Sequence, residues 1–147
     1  GVMEGLASGA LAGYPVVGVK VTLLDGSYHV VDSSELAFEQ AGVLAIREAM
    51  PKAGPVLLEP IMRVQVIVPE QYFGTIQGNL IAKRGTITDT RLHGQMRVLD
   101  AKVPLSEMFG YSSQIRGATA GRGSFTMEPL CYEKMPEQIS EKILQNC

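Results

Sequence analysis

The chain has 147 residues, 46% of them hydrophobic and 19% charged, with a net charge of −2 at pH 7. That length suits one domain or two small ones. Near-neutral charge excludes a bulk-basic nucleic-acid binder, so any such contact must be local. With no apolar run of ~18 residues and no signal-peptide pattern, the chain reads as soluble and not secreted. The halves differ: residues 1–58 carry 3 Lys+Arg against 6 Asp+Glu, and residues 59–136 carry 9 against 7. Cys131 and Cys147 have no metal-site spacing and do not suggest a disulfide scaffold. Cys131 is expected to be a small packed residue in or just after the last strand, and Cys147 a frayed terminus.

Residues 1–13 are rich in Gly and Ala and read as a linker or broken helix. Val17, Val19, Val21 and Leu23 then alternate with Gly18, Lys20, Thr22 and Leu24, which predicts a half-buried strand over Pro15–Leu24. Asp25-Gly26 signals a hairpin turn, with Tyr28–Val31 as the returning strand. Asp32 and Glu35 form a capping-box pattern for a helix ending near Met50, stopped by Pro51, Gly54 and Pro55. The small residues Ala37, Ala41, Gly42, Ala45 and Ala49 suit close approach to a sheet. Val56–Leu58 reads as a short strand leading onward.

Residues 59–136 follow a strand–helix–strand–strand–helix–strand order. Met62, Val64, Val66 and Val68 alternate with Arg63, Gln65 and Ile67. Pro69 opens a helix carrying Tyr72, Phe73, Ile76, Leu80 and Ile81, with Gly85 in the C-cap position. Thr86–Thr90 and Gln95–Val103 pair across a loop at Leu92-His93-Gly94. Pro104 ends that strand, and Ser106 caps a helix bearing Glu107, Met108, Tyr111 and Ile115, with Gly110 inside it as a weak point. Met108 and Phe109 read as core. Ser124–Met127 is the last strand. The order implies a four-stranded antiparallel ferredoxin-like sheet with two helices on one face. The first unit, a partial βα unit, leaves a sheet face uncovered unless more chain or a partner covers it.

Gly117, Gly121 and Gly123 flank Arg116 and Arg122, offering two guanidiniums from a loop suited to a phosphate backbone. Lys83-Arg84-Gly85 offers a second basic site at a helix end.

The run Val103–Pro129 closely resembles the C-terminal domain of the elongation factor G family. Gly13-Tyr14-Pro15-Val16-Val17, Asp25-Gly26-Ser27-Tyr28-His29, the run from Val31 to Phe38 and the run from Pro55 to Met62 resemble that family in the same order. The resemblance spans about Gly9 to Pro136. It implies that 1–58 is the second half of the family's domain four, half of a ribosomal-protein-S5-like domain. It implies that 59–136 is domain five, followed by a C-terminal tail at 137–147, all within a longer cytoplasmic protein. That parent would be a GTPase using GTP and Mg to drive translocation of transfer RNA and messenger RNA. By resemblance, Gly26, Ser27, Tyr28 and His29 form a tip reaching the decoding region. Arg84, Gly85, Arg116 and Arg122 face ribosomal RNA near the stalk base. The partners implied are the ribosome, its stalk-base proteins and the A-site RNAs, with no membrane. A paralogue for ribosome recycling or ribosomal protection, and a free-standing ferredoxin-like RNA-binding or regulatory module, are the alternatives.

No Gly-x-x-x-x-Gly-Lys-Ser/Thr loop occurs in the chain, so it carries none of the groups that hold a γ-phosphate and its Mg. His29 and His93 lack ligand-type neighbours at metal-site spacing, and no nucleophile sits beside a base. The expectation is a piece that binds and positions without bond chemistry or cofactor of its own. Arg122–Met127 superficially resembles the RNP1 strand of an RNA-recognition motif, but it falls on the fourth strand and holds a single Phe.

Overall fold

The computed structural model describes residues 1–9 and 11–146. Cys147, expected to fray, lies outside them. In chain order the elements are α1 (Val2–Ala7), α2 (Glu35–Lys52), β1 (Leu58–Pro69), α3 (Phe73–Ala82), β2 (Thr86–His93), β3 (Met96–Pro104), α4 (Tyr111–Ala118), β4 (Ser124–Lys134) and α5 (Glu137–Gln145), with 3-10 turns at Glu70–Tyr72 and Leu105–Glu107. The chain divides into two compact units: Gly1–Leu57 with the chain from Met135 onward, and Leu58–Lys134.

In the first unit, residues 1–13, expected to be a linker or broken helix, hold the short helix α1, whose Gly5 packs on α2. A Cβ on Gly5 would lie 3.1 Å from Ile46 Cβ, and one on Gly42 would lie 3.0 Å from the Val2 nitrogen. Of the small residues of α2, Gly42 thus permits close approach, and to a helix rather than to a sheet. Ala37, Ala41, Ala45 and Ala49 stay exposed, while Val43, Ile46 and Met50 are buried. The cap of α2 is Ser34, not Asp32: the Ser34 Oγ accepts from the Ala37 N–H at 3.1 Å. The helix passes Pro51 and ends at Lys52. Pro51 gives up only its own donor in the last turn, and the Ala53 N–H closes the end onto Ala49 and Met50. The tail expected at 137–147 holds α5, whose Ile139, Ile143 and Leu144 are half-buried.

The expected hairpin at Pro15–Val31 is not a pair of strands; residues 14–34 contain no strand. Gly18 adopts φ 68, which breaks the extended run, and neither parity of side chains finds a surface to bury against. Leu23 is 89% and Val31 92% exposed. Alternation predicts a strand only where a ladder partner is available.

The second unit is a four-stranded antiparallel sheet in the order β2-β3-β1-β4. With α3 and α4 as its crossover helices, this is the ferredoxin-like arrangement. Met62, Val64, Val66 and Val68 of β1 join Leu99, Ala101 and Val103 of β3, Ile76 and Leu80 of α3, and Met108, Tyr111 and Ile115 in one core. β1 begins at Leu58, so the expected short strand and long strand are one. Pro60 is tolerated there because residues 58–60 pair with β4 alone, leaving the other edge open. β4 runs to Lys134, well past Met127, with a bulge opposite Ile61/Met62. Cys131 sits in this edge strand and is exposed, not packed.

Candidate nucleic-acid interface

Gly26, Ser27, Tyr28 and His29, expected to form a tip, are all exposed. Local bonds shape them. The Gly26 N–H donates to Asp25 Oδ1 at 2.7 Å. The His29 N–H donates to Ser33 Oγ at 2.7 Å, and the Ser33 N–H donates back to the His29 carbonyl at 2.9 Å. The Tyr28 ring stacks on Phe38 of α2, with centroids 6.4 Å apart and planes 12° from parallel. The loop is therefore anchored on both sides of His29, and the imidazole remains in solvent.

In the sheet unit, topology separates the four expected docking residues. Arg84 and Gly85 follow α3, at the end where β2 starts and β3 finishes; Thr86 pairs with Lys102. Arg116 and Arg122 flank the end of α4, at the opposite end, where β4 starts; Ser124 pairs with Ile67.

Arg84 occupies the left-handed region at φ 59. The Arg84 N–H donates to the Ile81 carbonyl at 3.1 Å and the Gly85 N–H to the Leu80 carbonyl at 2.9 Å. These bonds form a Schellman motif whose left-handed residue is Arg84, not the glycine. Gly85 is required for a different reason: a Cβ there would lie 2.5 Å from the Leu80 carbonyl oxygen. The Arg84 side chain donates to both oxygens of the buried Glu59, at 2.7 and 3.0 Å. Its Nε donates to Glu107 at 3.2 Å. Glu59 first, and then Glu107, hold the guanidinium above its usual range against the opposing effect of burial. The expected free guanidinium at position 84 is thus committed within the domain.

Four of the six arginines in this unit are in ion pairs: Arg63 with Glu128, Arg84 with Glu59 and Glu107, Arg91 with Asp89 and Asp100, and Arg97 with Glu70. Arg116 and Arg122 are exposed and, among the described residues, have no acid within ion-pair distance. The loop joining them is tied by its own hydrogen bonds. The Gly121 N–H donates to the Arg116 carbonyl at 2.8 Å and the Arg122 N–H to the Thr119 carbonyl at 3.1 Å. The Gly123 N–H donates to Thr119 Oγ1 at 2.8 Å. These backbone donors are spent, so an anion at this rim meets side chains rather than a backbone cradle.

The open sheet face is charge-compensated. Arg63 meets Glu128 at 3.0 Å, Gln65 meets Asp100 at 3.1 Å, and Arg91 meets Asp100 at 3.3 Å. Phe125 pairs with Val66 and so lies on the helix side, edge-on to Tyr111 with centroids 4.9 Å apart. The RNP1-like segment therefore presents no stacking aromatic to solvent. Phe109, expected in the core, is 78% exposed, because Gly110 at φ 77 turns the chain between Met108 and α4. Among the described residues no group of His, Cys, Asp and Glu could hold a metal ion, and no helix is long and apolar enough to cross a membrane.

Residues 1–54 match the family model for elongation factor G, domain IV, and residues 56–143 match that for the elongation factor G C-terminus. The chain is 54% identical over 145 residues to elongation factor G of Fervidobacterium nodosum, covering 99% of this chain and 21% of that protein. A crystal structure from Thermus thermophilus superposes with a TM-score of 0.88 at 41% identity, over 99% of this chain and 22% of that one. The chain thus spans about a fifth of the length of the relative and of the solved chain it matches. Two family models laid end to end, in the order the motifs predict, leave one conclusion: the chain belongs to the elongation factor G family.

Proposed function

We propose that this chain supplies ribosome-binding surfaces to a cytoplasmic translational GTPase that moves transfer RNA and messenger RNA through the ribosome. The observation that carries the reading is the consecutive match to domain IV and the C-terminal domain of elongation factor G. In this reading the GTP and Mg chemistry belongs to other domains of the parent. The exposed loop Gly26, Ser27, Tyr28 and His29 is the tip that enters the A-site region. Its anchoring by Ser33 and Phe38 supports a defined shape for that task. Arg116 and Arg122, unpaired among the described residues, are the residues that meet ribosomal RNA phosphate. Arg84 and Gly85 act at the other end, near the stalk base, by shaping the surface through their internal bonds.

The test uses an intact translocase carrying this sequence as its C-terminal part. His29→Ala is expected to slow messenger RNA movement about tenfold or more while ribosome-stimulated GTP hydrolysis stays within about twofold. Rapid kinetics of movement and of phosphate release separate the two. Equal loss of both rates, or unchanged movement, excludes the tip role.

A further inference from the structure

Arg122 stands in a loop whose shape is unfavourable on its own. Ala120 at φ 52 and Gly121 at φ 77 are consecutive left-handed residues. For an alanine that conformation is sterically unfavourable and persists only where the surroundings over-determine it. The residue at the centre of those surroundings is Thr119, which is fully buried. Its hydroxyl donates to the Ile115 carbonyl at 2.6 Å and accepts the Gly123 N–H at 2.8 Å. Its carbonyl accepts the Arg122 N–H at 3.1 Å. One side chain thus ties the last turn of α4 to the first residue before β4, across the segment that carries Arg122. Gly123 completes the fit, since a Cβ there would lie 2.8 Å from Thr119 Oγ1 and 3.0 Å from Ile115 Cγ1.

We infer that Thr119 is a positioning residue for RNA binding: its buried hydroxyl holds the Ala120–Gly123 loop in the shape that presents the Arg122 guanidinium to a phosphate. This rests on the proposed role of Arg122. The hydroxyl acts by pre-organisation. A long side chain on a fixed backbone loses less freedom on binding than one on a mobile loop. Because the Gly121, Arg122 and Gly123 N–H groups are internally spent, the affinity of this rim resides mainly in the side chains and therefore in their placement.

The test compares the wild-type chain with Thr119→Val, Thr119→Ser and Arg122→Ala. Valine keeps the volume and removes the hydroxyl, and serine restores it. Two quantities are read: hydrogen-exchange protection of the Gly123 amide, and affinity for purified bacterial ribosomes across a salt titration. Thermal unfolding checks that each variant is folded at the assay temperature. Thr119→Val is expected to lose Gly123 protection and to weaken ribosome binding about threefold to tenfold, the worth of one net hydrogen bond. Thr119→Ser is expected to recover both. Arg122→Ala is expected to make the dependence of log affinity on log salt shallower by roughly 0.7 to 0.9. Full protection of Gly123 in a folded Thr119→Val overturns the positioning role. So does lost protection with unchanged affinity while Arg122→Ala still weakens binding, and in that case the role of Arg122 stands. Unchanged affinity and salt slope in Arg122→Ala overturn the inference from beneath, by removing the RNA contact it serves. If Thr119→Val is unfolded, the serine and arginine variants decide. Serine with wild-type protection and affinity, beside a weakened Arg122→Ala, supports the inference, and serine without protection yet with full affinity overturns it.

Discussion

Tyr111 is fully buried, and its hydroxyl has no hydrogen-bond partner among the described residues. Its ring is well served, edge-on to Phe125 and with Lys83 Nζ 5.7 Å from its centroid. The ring therefore contributes packing, while the hydroxyl carries an uncompensated desolvation cost. Burial pushes its pKa up from 10.0 to about 12. The folded chain holds this proton more tightly than the unfolded chain does. The resulting stabilisation is complete below pH 10 and is lost as pH rises through about 12. Tyr111→Phe is expected to leave stability at pH 7 unchanged or raised by up to about 1 kcal/mol, and to remove this tyrosine's part of the alkaline loss. Denaturant unfolding at pH 7 and along a series above pH 9 measures both. A loss greater than about 1 kcal/mol at pH 7 would reveal a partner for the hydroxyl.

At the scale of elements, α3 and α4 end alike. Each closes with a bond from the second residue after the cap, Gly85 to Leu80 and Gly121 to Arg116, and each puts a non-glycine residue, Arg84 or Ala120, in the left-handed position. The strain at Arg84 is offset by its ion pairs, which join the end of α3 to β1 through Glu59 and to the 3-10 turn before α4 through Glu107. Lys83 Nζ holds the same turn by donating to the Glu107 carbonyl at 3.0 Å. Removing Arg84 strands a nearly buried carboxylate. Arg84→Ala is expected to destabilise the sheet unit by about 3 kcal/mol. Glu59→Gln, which removes the charge and keeps a hydrogen-bonding group, is expected to cost less. Chemical denaturation of the two variants side by side is the measurement. A loss under about 1 kcal/mol for Arg84→Ala would mean that the pair behaves as a surface salt bridge.

At the scale of the molecule, every residue of the main core lies between Met62 and Ile115, and all four strands lie within Leu58–Lys134. Residues 58–134 are therefore expected to fold alone, with a cooperative transition. Small sheets of this length bury only a modest fraction of their surface, so the expected stability is a few kcal/mol. Circular dichroism and near-ultraviolet signals should be lost together on heating. Secondary structure without fixed tertiary signals would show that the sheet needs the rest of the chain. Among the described residues the first unit has no comparable core: Val43, Ile46 and Met50 are its buried large side chains, while Leu36, Phe38 and Leu44 of α2 are more than half exposed.

Local and near-local physics made much of the sheet unit readable in advance. The period-2 run Met62–Val68 could only be a strand with one face buried. The apolar spacing over Tyr72–Ile81 marks a helix in the sequence, although a helix of 10 residues is held by packing Ile76 and Leu80 into the core. The βαββαβ order then left a single familiar topology, and the motifs across the chain pointed to the family. The loop Gly26–His29 was singled out for the same reason, as a resemblance in consecutive residues, and its role as a tip remains the proposal made above. What the sequence could not decide were features set by residues far apart in the chain. Val17–Leu23 alternates as well as β1 does, yet forms no strand, because pairing depends on a partner that no local pattern encodes. Arg84 and Arg122 look alike in sequence, each beside a glycine at a helix end. Glu59 lies 25 residues from Arg84, and only the fold brings that carboxylate to the first guanidinium and leaves the second in solvent. Thr119 has a hydroxyl like any other until burial makes it the fixed point of a loop. Periodicity and turn chemistry act over a few residues and survive in the bare sequence; burial and charge pairing are properties of the surroundings, and those exist only once the chain has folded.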